Sequence, residues 1–197
     1  PGEDERGKPH KVRLYSLASP TRGEGGEGKI ISTTPKRFID EYTPQKDEDD
    51  EERHDLFLGV CSNYLCDLKV GDKVQVTGPS GKRFLLPVDY NKHDYIFMAT
   101  GTGIAPFRAM CKDLFESPDG ATTSQVHVVM GTPYTTDLLY DDFFVALSDK
   151  FDNFHYHAAV SREKQADGSR GLYVGQLLDK EYDEIFGPIL TSDRGLM

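Results

Sequence analysis

The spacing of apolar and polar residues changes once along the chain, near Asn91. Before that point apolar positions come in short runs, alternating in KVRLYSLAS over 11–19 and VQVT over 74–77, with RFLLP over 83–87 as a further short strand. Period-two alternation predicts strands with one face buried, and turns such as Gly78-Pro79-Ser80-Gly81 predict antiparallel neighbours. Lys29–Asp40 reads as the strand returning from a Gly/Glu-rich hairpin loop at Pro20–Gly28. NYLCDL reads as one short helix with Ser62 as its N-cap. The first domain, residues 1–91, is thus predicted to be an antiparallel barrel or sandwich.

From Asn91 onward strands and helices alternate. Buried strands are predicted at 95–99, 125–131 and 154–160, and helices at 106–116, 140–150 and 173–186. This order implies βαβ units and a parallel sheet in a second domain, 92–197, with residues 191–197 entering a further strand. Ligands of such sheets bind at the carboxyl ends of the strands, where this chain puts loops 100–105, 131–133 and 161–163. In the first of these loops Gly101, Thr102 and Gly103 lead to Pro106, which suits a first helical turn. Glycines let phosphates approach backbone N–H groups at the positive end of a helix. The spacing G-x-G-x-x-P departs from the dinucleotide fingerprint G-x-G-x-x-G, so it fits an ordinary strand-to-helix loop as well.

Composition narrows the function classes. With 37% apolar residues, 11 Phe and 10 Tyr in 197 positions, the chain can bury a core. A net charge of −10 argues against nucleic acid or an anionic membrane as main partner. No apolar run approaches the roughly 18 residues of a spanning helix. Three cysteines suit a reducing compartment and are too few for a four-thiolate iron–sulfur cluster. His155 and His157 share one strand face with no third ligand spaced to join them, which predicts packed histidines and no metal site. The acidic run 47–52, within 43–56, predicts a solvated insertion.

Two further groups suit anionic, planar ligands. Period two puts Arg13 and Tyr15 on one strand face, where a guanidinium can grip phosphate and a ring can stack, or where both simply face solvent. Gly59-Val60-Cys61-Ser62 opens the short helix and is a second potential anion seat.

Five motifs follow in order: RLYS (13–16), GVCSNYL (59–65), GDKVQVTGPSGK (71–82), ATGTGIAPFR (99–108) and AVSRE (159–163). Together they resemble the plant-type ferredoxin–NADP reductases. The resemblance implies an antiparallel FAD-binding barrel followed by a Rossmann-like NADP-binding domain, in a polypeptide truncated at both ends. It implies that Arg13 binds the flavin pyrophosphate, that Tyr15 packs on the isoalloxazine, and that Ser16 lies by flavin N5 as the catalytic residue. Val60, Cys61 and Ser62 then form the second phosphate seat. Thr102 and Gly103 face the NADP pyrophosphate and nicotinamide, Ser161 and Arg162 hold the ribose 2′-phosphate, and Tyr173 stacks on adenine. Arg after a sheet strand also suits a 2′-phosphate on physical grounds, where a carboxylate suits a 2′-hydroxyl. Arg170 is expected to assist, because Gly171 stands where the family carries a Lys, and Glu163 is expected to offset part of the Arg162 charge.

The implied reaction exchanges electrons between NADP(H) and ferredoxin, by hydride transfer at flavin N5 and single-electron transfer. An acidic ferredoxin is expected to dock on Lys8, Lys11, Lys29, Lys36, Lys69, Lys73 and Lys82. The implied compartment is the stroma of a chloroplast or apicoplast, with the cytoplasm as alternative. Two other readings stay open, a reductase module of a diflavin protein and a non-catalytic nucleotide-binding module.

Overall fold

The computed structural model describes residues 3, 6–41 and 56–196. The acidic run 47–52 lies outside them. Contacts divide the chain into two units, Pro1–Ser16 with Thr34–Ser80, and Leu17–Thr33 with Gly81–Met197.

The second unit is built on three parallel strands and a short fourth: β3 (Asp94–Thr100), β4 (Val126–Thr132), β5 (Phe154–Val160) and β6 (Gly195–Leu196). Their order across the sheet is β5-β4-β3-β6, all parallel. The chain therefore steps outward from β3 to β5, then returns across β3 to its other edge. That reversal makes the carboxyl end of β3 a topological switch point, the usual crevice for ligands in open parallel sheets.

Both faces of the sheet are covered, which is why its strands read as near-continuous apolar runs. Tyr95, Phe97, Val126, Val128, Met130 and Phe154 point to one face. There they meet Cys111, Leu114 and Phe115 of α2 (Ala105–Phe115) and Phe144 and Leu147 of α3 (Asp141–Lys150). Ile96, Val129 and Ala159 point to the other face, against Leu177 of α4 (Val174–Lys180) and Phe186. The strands and the first two helices of this unit lie within a residue of their expected bounds. The helix expected over 173–186 is instead broken: α4 gives way to a π-helical turn at Tyr182–Phe186 and then to α5 (Gly187–Leu190). The turn directs Phe186 fully into the core, and Pro188 at the start of α5 has no N–H to continue a regular ladder.

Leu17–Thr33 also belongs to this unit. Its Glu24 carboxylate accepts from Arg108 of α2 at 2.5 Å, while Thr21 donates its backbone N–H and hydroxyl to Asp113 at 3.0 and 2.8 Å. The guanidinium of Arg108 holds the Glu24 carboxyl down at about 2. The expected strands at 11–19 and 29–40 reduce here to one bridge, Leu17↔Thr33.

The first unit pairs β1 (Ile39–Glu41) antiparallel with β2 (Leu56–Leu58), followed by α1 (Val60–Asp67). VQVT lies in this unit and RFLLP in the second, and neither forms a ladder among the described residues. A strand needs a neighbour for its backbone groups, and Val76 and Leu85 remain exposed. The barrel is therefore not built by the described residues.

Candidate functional site

Within the first unit, α1 begins one turn earlier than expected. Gly59 is its N-cap, while Ser62 sits inside the first turn and accepts the Phe38 N–H at 3.2 Å. A Cβ at Gly59 would lie 2.9 Å from Phe38 Cβ, so only glycine allows this docking. Arg37 fixes the helix from the side, donating to Asn63 at 2.9 Å and to Asp67 at 2.7 Å. The Tyr15 hydroxyl reaches Cys61, and burial, reinforced by that contact, pushes its pKa up to about 12. Arg13 lies close enough to Tyr15 to oppose the shift, and one of its nitrogens donates to the Lys11 carbonyl at 2.8 Å. Tyr15, Arg13 and the first turn of α1 are thus neighbours, whereas the sequence relates them only by family order.

In the second unit the carboxyl ends of β3, β4 and β5 form an open cleft. Thr100, Gly131, Thr132, Pro133, Ser161 and Tyr173 line its inner part. Arg162, Lys164 and Arg170, with Glu163 among them, extend it into a mainly basic cavity of about 500 Å3, within the range of small-ligand sites. Two backbone bonds carry the β4–β5 ladder past the strand ends: Ser161 N–H to Thr132 O and Arg162 N–H to Pro133 O, both 2.9 Å. Beyond them the chain folds back as a tight hairpin closed by the Lys164↔Arg170 bridge, bringing Arg170 beside Arg162. Among the described residues no carboxylate pairs with Arg162, Lys164 or Arg170. Tyr173 caps α4 with its ring exposed, and its N–H donates to Gln176 Oε1 at 3.0 Å.

The expectation for Glu163 changes here, and Gly171, Thr102 and Gly103 take definite places. The Glu163 carboxylate does not face Arg162; it accepts the Thr135 N–H at 2.9 Å and the Thr135 hydroxyl. Those bonds, the hydroxyl's first, hold its pKa below the ordinary glutamate value. Gly171 is buried, and a Cβ there would collide with the carbonyl oxygens of Val160 and Glu163. No side chain fits at 171, so Arg170 and Lys164 carry the positive charge on this edge. Thr102 and Gly103 sit beside the part of the cleft lined by Thr100, in a 3-10 turn, Gly101–Ile104, at the carboxyl end of β3. A Cβ at Gly101 or Gly103 would meet nothing within 4 Å, so that backbone is open to a ligand.

Comparison with known proteins agrees with this geometry. A family model described as the oxidoreductase NAD-binding domain matches residues 97–194. The chain is 40% identical over 190 residues to the root-type chloroplastic ferredoxin–NADP reductase of Nicotiana tabacum, covering 94% of this chain and 49% of that protein. It is 42% identical over 191 residues to the ferredoxin–NADP reductase of a Picosynechococcus species, covering 94% and 45%. A solved structure of the Plasmodium falciparum ferredoxin–NADP+ reductase with 2′P-AMP superposes with a TM-score of 0.68 at 26% identity, covering 92% of this chain and 64% of that one. The chain is similar to the ferredoxin–NADP reductases over nearly its whole length. It spans about half the length of the curated relatives it matches.

Sequence reasoning missed two features of this chain. Lys164 was legible only as one more surface lysine, because its place depends on the hairpin register. The histidine pair on β5 has a third member, since the β4–β5 register sets His127 against His155. The His127 ring stacks on His155 at 4.4 Å, and its Nδ1 lies 3.1 Å from His157 Nε2. His157 Nδ1 is 3.5 Å from Glu181, long for a hydrogen bond. Burial lowers all three histidines, His127 to about 3.

Proposed function

We propose that this chain carries nucleotide-binding machinery of an FAD-dependent oxidoreductase exchanging electrons between NADP(H) and ferredoxin. One observation carries the reading: Ser161, Arg162, Lys164 and Arg170 converge beside the exposed ring of Tyr173. Two guanidiniums, an ammonium and a hydroxyl suit a dianionic ribose phosphate, and guanidinium forks meet phosphate oxygens in pairs. Tyr173 offers an adenine a face to stack on. The Plasmodium falciparum relative is described with 2′P-AMP, which joins those two chemical parts. Thr102, Gly103 and the open backbone around them take the pyrophosphate and nicotinamide end.

FAD, when bound, supplies the N5 that exchanges hydride with the nicotinamide and the single-electron steps with ferredoxin. The residues of the first unit fit its parts. Arg13 keeps donors free for a pyrophosphate, Tyr15 offers a ring face, and the α1 first turn offers the amides of Val60 and Cys61. Ser62 acts by holding that turn through Phe38, and Ser16 is the residue that the family resemblance would set beside N5. The FAD-binding part is assigned to residues 1–91, whose described portion forms no closed barrel, and the NADP-binding part to 92–197. Lys8, Lys11, Lys29, Lys36, Lys69, Lys73 and Lys82 are exposed and suit an acidic ferredoxin, with Lys29 already paired to Glu27 at 2.8 Å. The chloroplastic relatives favour a plastid stroma.

Calorimetric titration with 2′P-AMP and with 5′-AMP tests the reading. The phosphorylated nucleotide should bind at least tenfold tighter; equal affinities would refute it. With FAD added, a yellow protein bleached anaerobically by NADPH and hardly by NADH is expected, and a protein that never takes up flavin would refute the first unit's part.

A further inference from the structure

A negative charge beside a phosphate seat should weaken it, yet Glu163 follows Arg162 directly. Its carboxylate is turned to the neighbouring loop, where a one-turn 3-10 helix at Thr135–Asp137 begins. The first N–H groups of such a turn have no partner within it. Glu163 supplies one, accepting the Thr135 N–H at 2.9 Å and the Thr135 hydroxyl with its second oxygen. Two oxygens thus tie residue 163 to residue 135. Residues 161 and 162 are already tied to Thr132 and Pro133 by backbone bonds. The three links follow one another along the chain, the first reinforced by the Ser161 hydroxyl donating to Thr132 O at 3.3 Å, and the last is made by a side chain alone. It falls where the chain leaves the sheet, between Arg162 and the hairpin that carries Lys164 and Arg170.

Resting on the NADP reading of this cleft, we infer that Glu163 is a positioning residue for 2′-phosphate selectivity. Its clamp on Thr135 sets the Arg162 guanidinium and the Lys164/Arg170 hairpin at one spacing and keeps the acidic charge off the phosphate. The residue touches no ligand in this account. It acts through the backbone on either side of it, and the lowered carboxyl pKa agrees with a carboxylate that stays ionised in the clamp.

Clamp and charge can be separated. Glu163→Gln removes the charge and keeps an oxygen for the Thr135 N–H, whereas Glu163→Ala removes both. The two variants carry the same charge, so the ratio of their dissociation constants isolates the clamp. For 2′P-AMP, Glu163→Ala is expected to bind at least fivefold more weakly than Glu163→Gln; for 5′-AMP the two should agree within twofold. Thr135→Val, which keeps the N–H and loses the hydroxyl, should fall between them for 2′P-AMP and serves if Glu163→Ala does not fold. A ratio of one for 2′P-AMP would overturn the inference. So would an equal loss for both nucleotides, which would mean a generally loosened cleft. If the unsubstituted chain binds both nucleotides equally, the NADP reading itself fails and takes this inference with it.

Discussion

The two contact units differ in how their apolar residues are used. In the second, Val126, Val128, Val129 and Met130 are wholly buried, and consecutive residues of one strand serve two cores. In the first, Val12 and Leu14 are about four-fifths exposed, and the only ladder among its described residues is a three-residue pair of strands. A two-stranded ribbon is marginal by itself, whereas a sheet covered on both faces holds its edge loops still. The nucleotide cleft stands on the second kind of support. The proposed flavin residues stand on short elements joined by local hydrogen bonds.

The largest test of that contrast is Phe144→Ala. Phe144 is fully buried and its ring stacks on Tyr156 at 5.2 Å. Its loss should cost about 3–5 kcal/mol in urea denaturation, and a cost near zero would mean that the sheet core is not what stabilises the chain.

Acid is expected to act next, again on the second unit. Burial holds His127 at about 3 against an ordinary 6.5, so between those values the unfolded chain binds a proton that the folded chain refuses. Stability should therefore fall as pH drops below about 6.5 and be unaffected above it. Glu24, held at about 2 against 4.5, adds a contribution present above 4.5 and lost as pH falls toward 2. Melting curves across pH 3–8 read both. His127→Phe should flatten the upper part of the slope, and an unchanged slope would count against the buried stack.

At the cleft, Arg162→Ala removes a charge-assisted contact worth about 1.5–3 kcal/mol, so 2′P-AMP should bind roughly ten- to a hundredfold more weakly with 5′-AMP unaffected. Gly103→Ala sharpens the same point from the other end. Its Cβ meets nothing within 4 Å in the protein, so melting should hardly move. NADP+ binding should nevertheless weaken severalfold while 2′P-AMP, which lacks the pyrophosphate end, binds as before. The smallest effect is expected from Val76→Ala in the first unit, within about 0.5 kcal/mol because the side chain is mostly exposed. A cost of 2 kcal/mol or more would reveal a core in that unit and erase the contrast.

Much of the second unit was legible beforehand because its signals are local. Apolar runs of strand length, helical spacing between them and Pro106 after a glycine turn each depend on neighbouring residues. Ser161 and Arg162 were legible because they lie just beyond a strand whose direction was already known, whereas Tyr173 was implied only by the family resemblance. The strands expected over 11–19 and 74–77 carry clear alternation and that over 83–87 a short apolar run, but such patterns state only which residues are to be buried. Whether a ladder forms depends on a partner strand, and a partner is a property of the fold.

The chain by itself therefore determined the parallel-sheet architecture, the edge at which a ligand would sit and the cationic character of that edge, since these follow from short-range periodicity and residue type. Only the tertiary structure decided that Glu163 turns away from Arg162 to hold Thr135, that Gly171 has no room for a side chain, and that His127 completes a buried stack with His155 and His157. Each of these depends on strand register or on two loops meeting in space, across about 30 residues of chain for the glutamate and the histidines. Register is set by the packing of whole strands, and no local pattern encodes it.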